Sequence, residues 1–259
     1  MLTTRYVTGA PSWIEVATPD TDEAAAFYGG VLGWRLRPAP DGEYAFFELD
    51  GETVAGCART APEQGPPSWT VYLRTPDAEA TAEAAARARG RVLVPPTRVG
   101  EQGVAAVLAD RTGAAYGVWQ PGRREGLDRA GGTGALCWAE LYTPDVAAAA
   151  AHYDAVLGLE TSAVSFPDGT YTALGPAGAD EGAVFGGVVP LADDPLETEP
   201  HWLPYIAVAD PDAVVAAVRG LGGAVRLPAT DVEGVGRVAR LADPYGARFA
   251  VLRPAPREV

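Results

Sequence analysis

The sequence has few of the side chains that disulfide frameworks and nucleophile sites require. Its 259 residues include two cysteines and two histidines. Cys57 and Cys137 lie in strand-like runs, which is typical of buried thiols and favours a reducing compartment. His152 and His201 have no partner at a spacing that predicts a catalytic triad, and the sequence contains neither a G-x-S-x-G elbow nor a phosphate-binding loop.

Positive charge and long apolar runs are also scarce. Lysine and arginine total 20 against 34 aspartates and glutamates, which gives a net charge of −14. Such a balance argues against a nucleic-acid or membrane partner, because phosphate groups are bound by basic side chains. No run reaches the ~20 apolar residues of a membrane span, and the N-terminus does not resemble a signal peptide. We therefore expect a cytoplasmic protein, monomeric or homodimeric, whose partner is a small molecule.

What the sequence does contain is a long internal repeat. "WIEVATPD" at 13–20 returns as "WAELYTPD" at 138–145, so that an offset of 125 residues pairs Trp13 with Trp138 and Glu15 with Glu140. Further along, an offset of 133 residues pairs Trp69 with Trp202, Tyr72 with Tyr205, and Asp110 with Asp243. The Gly-rich polar stretch 122–135 between the copies is interpreted as a linker. The predicted domains are therefore residues 1–121 and 136–259.

Each half is itself doubled. "TPD" ends a strand-like run at 18–20, 75–77 and 143–145, and "VADPD" does so at 208–212. Each is followed by an Ala-rich helical stretch, with Asp20, Asp77 and Asp145 as the predicted N-caps, and then by three short strand-like runs. The pattern predicts an α+β fold of two tandem domains, each made of two βαβββ modules that form a cup-shaped mixed sheet. Which modules pair stays open.

Strand alternation sorts the side chains of the first strand of each half. Ile14 and Val16 are expected to face the helix, which leaves Trp13, Glu15 and Ala17 for the cup. By the same alternation, the second half presents Trp138, Glu140 and Tyr142 to its cup.

The sequence resembles the vicinal-oxygen-chelate superfamily, which includes glyoxalase, bleomycin-resistance and extradiol-dioxygenase proteins. The openings "WIEVATPDTDEAAAFYGGVLGW" and "WAELYTPDVAAAAAHYDAVLGL" and the closing strands "DRTGAAYGVWQP" and "DPYGARFAVLRP" are similar to the start and end of its modules. The resemblance is to a two-domain, glyoxalase-like bacterial branch. It implies two tandem domains of this type.

The resemblance also implies a position for each metal ligand, because the metal enzymes of the superfamily carry His, Gln or Glu at four cup-facing positions. These positions fall at Trp13 and Trp138, at Gly117 and Ala250, at or near Gly56 and Gly186, and near Thr70 and Leu203. Indole, glycine, alanine and leucine offer no donor to a divalent ion. We therefore predict no metal site and no cofactor.

Two glutamates and a set of aromatic and basic residues are the candidate site residues. Glu15 and Glu140 are either acid–base catalysts on a cup ligand or structural carboxylates that bind backbone groups or pair with Arg74 and Arg248. The aromatic side chains are either ligand contacts or core filling. The predicted ligand-binding residues are Trp13, Tyr72, Arg74, Trp119, Trp138, Tyr142, Tyr205 and Arg248.

Three functional hypotheses follow. The first is a metal-independent small-molecule binding protein that holds an apolar or planar metabolite in an aromatic cup with one glutamate. The second is a metal-free lyase, isomerase or cyclase of secondary metabolism with Glu15 or Glu140 as acid–base. The third is a non-catalytic scaffold whose cups are filled by side chains.

Overall fold

The computed structural model describes residues 2–39, 42, 44–61, 63, 65–166, 169–178 and 183–256. The first half of the chain contains β1 (Pro11–Thr18), α1 (Thr21–Leu32), β2 (Arg35–Pro38), β3 (Tyr44–Leu49), β4 (Glu52–Arg59), β5 (Ser68–Arg74), α2 (Ala78–Arg87), β6 (Arg91–Val99), β7 (Gly103–Ala109) and β8 (Ala115–Pro121). The order is strand, helix and three strands, twice over, as predicted.

The second half repeats this order. It contains β9 (Leu136–Thr143), α3 (Val146–Leu157), β10 (Leu159–Phe166), β11 (Gly169–Pro176), β12 (Gly186–Pro190), β13 (His201–Ala207), α4 (Pro211–Gly220), β14 (Ala224–Val232), β15 (Gly236–Ala242) and β16 (Arg248–Pro254). A short 3-10 turn, Leu191–Asp193, lies between β12 and β13. Within the described residues, no helix combines the length and hydropathy that a membrane crossing requires.

The strands form two eight-stranded mixed sheets with the same topology. Their orders are β2-β3-β4-β1-β5-β8-β7-β6 and β10-β11-β12-β9-β13-β16-β15-β14. In each sheet the strand that opens a module pairs in parallel with the strand that closes it, as β1 does with β4 and β9 with β12. The predicted α+β fold of two tandem domains is confirmed.

Local chemistry fixes the helix ends. The Asp20 carboxylate accepts hydrogen bonds from the backbone N–H groups of Asp22 and Glu23, which have no partner inside the helix. Gly33 ends α1 in the left-handed conformation, with φ 74°. Asp145 and Gly158 do the same for α3, so the repeat preserves both signals.

The burial pattern of β1 agrees with the predicted alternation. Ile14 and Val16 are fully buried, whereas Glu15 and Ala17 keep part of their surface exposed. Strand β1 therefore presents one apolar, fully buried face and one face that carries Glu15.

The chain divides into two compact units that cut across its two halves. Unit one comprises the described residues up to Trp13, with 70–126 and 138–203. Unit two comprises 14–69, 127–137 and the described residues from Pro204 onward. Unit one therefore combines most of the second and third modules, and unit two combines most of the first and fourth.

A buried polar chain crosses the two halves inside unit two. The indole Nε1 of Trp69 donates to the Tyr28 hydroxyl at 3.0 Å, and that hydroxyl donates to Asp243 Oδ2 at 3.0 Å. Burial, followed by the charge of Asp243, raises the pKa of Tyr28 well above its usual value, which keeps this hydroxyl a donor.

Unit one repeats the arrangement. Trp202 Nε1 donates to the Tyr153 hydroxyl at 2.8 Å, and burial and the charge of Asp110 raise the pKa of that tyrosine. Beside it, the Tyr116 hydroxyl lies 3.0 Å from His152 Nε2. Trp69 and Trp202 are thus buried hydrogen-bond donors between elements, and His152 is a core residue.

The predicted linker 122–135 contains no helix or strand, but part of it is anchored. Its carbonyl at Gly134 accepts a hydrogen bond from Trp34 Nε1 at 2.8 Å, and Asp128 Oδ2 accepts one from the Thr53 N–H at 3.0 Å. Leu127 is almost fully buried. The connection between the halves is therefore an ordered part of unit two from Leu127 onward.

Candidate functional site

Glu140 lies at the centre of a cluster of hydroxyl donors in unit one. Its Oε2 accepts from the Tyr142 hydroxyl at 2.9 Å, and its Oε1 accepts from the Tyr171 hydroxyl at 2.8 Å. Trp138 Nε1 in turn donates to the Tyr171 oxygen at 3.1 Å. Trp138, Glu140 and Tyr142 alternate along β9, so all three point to the same face of the sheet, as predicted.

Gly187 allows Tyr171 to reach the glutamate. Gly187 belongs to β12, where it pairs with Glu140 of β9 on one side and with Ala173 of β11 on the other. It therefore lies between Glu140 and the strand that carries Tyr171. A Cβ at Gly187 would lie 2.0 Å from the Tyr171 hydroxyl oxygen, which no side chain could tolerate without displacing the tyrosine. The glycine is therefore required for close approach across the strand.

The first half contains the same pair in unit two. The Tyr44 hydroxyl donates to Glu15 Oε2 at 2.5 Å. Gly56 belongs to β4, where it pairs with Glu15 of β1 and with Phe46 of β3. Tyr44 stands two residues before Phe46, just as Tyr171 stands two residues before Ala173, so the two tyrosines occupy equivalent strand positions. The register identifies Gly187 as the counterpart of Gly56, one residue from Gly186 and within the predicted range.

The electrostatics of the cluster keep Tyr171 a hydrogen-bond donor and Glu140 its acceptor. Burial, followed by the charge of Glu140, raises the pKa of Tyr171 well above its usual value. Tyr171 therefore keeps its proton and acts as the hydrogen-bond donor to the carboxylate. A carboxylate oxygen can accept more than one hydrogen bond, so the two tyrosine contacts do not by themselves use the full acceptor capacity of Glu140.

Arg74, one of the alternative partners considered for Glu15, has a carboxylate partner within unit one. Arg74 forms an ion pair with Glu125, with 2.6 Å between Nη1 and Oε2, and also donates to the Glu125 carbonyl. Both residues belong to unit one. A tyrosine hydroxyl serves the Glu15 carboxylate instead, at a lower desolvation cost than a buried guanidinium.

Other predicted ligand-binding residues of unit one lie around the closing strand β8. The guanidinium of Arg124 lies 5.5 Å from the Trp13 ring centroid, and Trp119 Nε1 donates to the Arg124 carbonyl at 3.0 Å. Trp13, Trp119 and Tyr72 are each at least 92% buried. Their contacts within unit one hold the fold together, and a ligand-binding role for them stays a prediction.

Tyr205 and Arg248 belong to unit two. Tyr205 is buried on β13 opposite Ala250, and its carbonyl accepts a hydrogen bond from the Cys137 thiol at 3.3 Å. Arg248 begins β16 opposite Ala242. The predicted ligand-binding role of these two residues, and the pairing of Arg248 with Glu140, stay predictions.

The positions at which the superfamily places metal ligands do not fit a metal in this chain. Trp13, Trp138 and Ala250 offer no donor atom. At Gly117, a Cβ would lie 2.1 Å from Cδ1 of the Tyr72 ring, so that the ring occupies the space that a glutamate side chain would need. Among the described residues, no three His, Cys, Asp or Glu side chains come close enough together to hold a metal ion.

The cysteines do not supply a nucleophile either. Both are buried with free thiols. Burial raises the pKa of Cys57 and of Cys137 to about 12. Neither is therefore ionised at neutral pH, as thiolate chemistry would require.

Sequence reasoning missed Tyr44 and Tyr171. Both stand two residues before the position that faces a glycine on the next strand, in "YAFF" and in "TYTA". Tyr44 and Tyr171 are 127 residues apart, which differs from the offset of 125 that pairs the glutamates. The two tyrosines can therefore be recognised as equivalent only once the registers of β3 with β4 and of β11 with β12 are known.

Comparison with known proteins agrees with this architecture. The profile of the Glyoxalase/Bleomycin resistance protein/Dioxygenase superfamily matches residues 10–116 and 135–251. The chain belongs to this superfamily. It is 36% identical to CFP32 of Mycobacterium bovis over 262 residues, which cover 98% of each chain. It is also 36% identical to the anthracycline biosynthesis protein DnrV of Streptomyces peucetius, over 96% of this chain and 94% of that one.

Solved structures show the same superfamily fold. The Mn(II)-bound glyoxalase from Novosphingobium aromaticivorans aligns with a TM-score of 0.64 at 14% identity, over 95% of this chain and 83% of that one. The 2,3-dioxygenase LapB from Pseudomonas sp. KL28 aligns with a TM-score of 0.63 at 16% identity, over 97% and 95%. At this identity the similarity concerns the fold alone.

Proposed function

We propose that this superfamily member is a metal-independent binding protein for planar, hydroxylated aromatic metabolites. The observation that carries the proposal is Glu140, a carboxylate whose two oxygens are each oriented by a tyrosine hydroxyl. A phenolic hydroxyl of a ligand would donate to this carboxylate, and the partly exposed Trp138 ring on the same strand face would supply flat apolar surface.

Two further points support the proposal. Side chains without donor atoms occupy all of the superfamily's metal-ligand positions except the one near Thr70, so the binding would use hydrogen bonds and stacking in place of coordination. DnrV, and the anthracycline biosynthesis protein DauV of Streptomyces sp. strain C5 at 35% identity, are named for the biosynthesis of polycyclic aromatic compounds. A hydroxylated polycyclic ligand is therefore the chemical class to test first, for a cytoplasmic monomer or homodimer.

The test is calorimetric titration with 1,4-dihydroxyanthraquinone in EDTA, beside 9,10-anthraquinone, which lacks the hydroxyls. We expect saturable binding of the hydroxylated compound and weaker binding of the other. Glu140→Gln should weaken binding about tenfold or more, because it removes a hydrogen bond to a charged acceptor. The matched control is Glu160→Gln on the exposed strand β10, which should bind as the wild type does.

The proposal fails if the wild-type protein binds no hydroxylated aromatic compound of such a panel, which would favour a scaffold with filled cups. It also fails if binding requires an added divalent ion. Equal binding by wild type and Glu140→Gln would place the ligand elsewhere.

A metal-free acid–base enzyme is the second candidate. It is favoured by the same carboxylate, because Tyr142 and Tyr171 hold Glu140 in a fixed orientation that a general base requires. Product formation from a bound compound in EDTA, abolished in Glu140→Gln, would establish it. Binding without turnover would retain the first candidate.

A further inference from the structure

The second half carries a set of side chains next to Glu140 that the first half lacks. The Tyr142 ring is stacked on the His201 imidazole, with centroids 5.0 Å apart and planes 7° from parallel. His201 Nε2 lies 3.5 Å from Glu197 Oε2. Tyr142 and the Glu197 side chain are both 99% buried, and the His201 side chain is 83% buried.

The segment 191–200 presents Glu197 to the histidine. The Asp194 carboxylate accepts a hydrogen bond from the Leu196 N–H at 2.9 Å, and the Asp194 carbonyl accepts one from the Glu197 N–H at 3.3 Å. At its end, the Glu199 carbonyl lies 2.8 Å from His201 Nδ1. The Glu199 carbonyl thus lies at hydrogen-bond distance from Nδ1, and the Glu197 carboxylate lies at ion-pair distance from Nε2.

The first half keeps the glutamate and its tyrosine donor, but it lacks the side chains that surround them in the second half. By the repeat offsets, Ala17 stands for Tyr142 and Ser68 for His201. The offset changes within the segment 191–200, so Glu197 has no assigned counterpart in the first half. Two positions and this segment thus differ, whereas the glutamate, the tryptophan two residues before it, and the tyrosine that donates to it are present in both halves. Such a coordinated difference indicates a task specific to the second half.

We propose that the segment 191–200 and His201 form a part of the binding site present only in the second half, in which His201 positions the Tyr142 hydroxyl on Glu140. This inference rests on the function proposed above. His201 acts through Tyr142, as a positioning residue. Its flat ring leaves Tyr142 a single orientation, in which the hydroxyl meets Glu140 Oε2.

The test reads Tyr142 directly by NMR, in protein labelled with ¹³C at the tyrosine Cζ. Tyr142→Phe assigns the resonance. His201→Ser introduces the first-half residue, and we expect it to shift the Tyr142 signal and to weaken binding of 1,4-dihydroxyanthraquinone about tenfold. His201→Phe keeps a flat ring and should retain the wild-type signal and most of the affinity. Glu197→Gln should shift the signal less than His201→Ser does.

His152→Phe is the matched control. His152 is the other histidine of the chain, and its first-half counterpart is Phe27. This variant should leave the Tyr142 resonance and the affinity unchanged.

An unchanged Tyr142 resonance in folded His201→Ser overturns the inference, as does His201→Phe behaving like His201→Ser. If His201→Ser does not fold, Glu197→Gln decides, because an unshifted resonance there contradicts the positioning role. Failure of the proposed function is distinguishable, since the wild type would then bind no probe while the Tyr142 resonance still responds to position 201.

Discussion

At the scale of the residue, the repeated glutamate is explained by a repeated tyrosine. A half-buried carboxylate needs donors, and Glu15 and Glu140 each receive one from the same strand position. Alternation along β1 and β9 was enough to predict which face the glutamates share. It could not predict the donor, because the donor lies two strands away and depends on the register of strands joined by turns of different lengths.

The Tyr171 hydroxyl is expected to stabilise the fold as well as the site. Tyr171→Phe removes a donor to Glu140 and an acceptor for Trp138 Nε1, so we expect the free energy of unfolding to fall by about 2 kcal/mol. Tyr44→Phe is the matched variant of the first half and should cost about 1 kcal/mol. Urea unfolding measures both, and a Tyr171→Phe protein as stable as the wild type would contradict the importance of this cluster.

A second residue-scale prediction concerns Gly117, the position at which metal-using relatives are expected to carry a ligand. A Cβ there would lie 2.1 Å from the Tyr72 ring. Gly117→Ala should therefore lower the free energy of unfolding by about 2 kcal/mol through overpacking. In a Tyr72→Ala background the same change should cost close to nothing, which a double-mutant cycle in urea would show.

Gly220→Ala is the control for this cycle. Nothing lies within 4 Å of the Cβ position at this helix residue, so alanine should be neutral or slightly stabilising there. Equal costs of Gly117→Ala with and without Tyr72 would show that the ring is not what excludes a side chain from this position.

At the scale of the element, the sequence was most informative. Helix starts were predicted from Asp followed by an Ala-rich run, and Asp20, Asp77 and Asp145 are the observed N-caps. The order of strands and helices along the chain followed from the module pattern, whereas the order of the strands within each sheet came from the structure. Nothing in the composition of the segment 191–200 indicates that Glu197 turns inward.

The N-caps provide the prediction at this scale. Asp20→Ala removes hydrogen bonds to two backbone N–H groups at the start of α1 and should cost about 1 kcal/mol of unfolding free energy. Asp145→Ala removes the matched bond to the Ala148 N–H at the start of α3 and should cost a similar amount. Thermal unfolding measures both. Asn at either position should recover most of the loss, whereas an equal loss with Asn would argue against a capping role.

At the scale of the whole molecule, the compact units do not follow the repeat. Periodicity identifies a module and its likeness to another, but it carries no information about which module packs against which. That pairing depends on side chains such as Tyr28 and Asp243, which are 215 residues apart and meet inside unit two. Tyr116 and His152 join the two halves in the same way inside unit one. The repeat was visible in the sequence, and these contacts between modules were not.

Because each compact unit contains segments of both halves, we predict that neither half of the chain folds alone. Residues 1–121 would lack the Asp243 partner of Tyr28, and residues 122–259 would lack the Tyr116 partner of His152, so each would leave buried polar groups and apolar surface uncovered. We expect each fragment by itself to show secondary structure without a cooperative thermal transition. An equimolar mixture refolded together should recover the near-UV spectrum of the intact protein and one cooperative transition. Tyr28→Phe in the first fragment should weaken this reassembly, and the matched His152→Phe in the second should leave a complex of lower stability. Cooperative unfolding of either isolated fragment as a monomer would contradict the assignment of both halves to each unit.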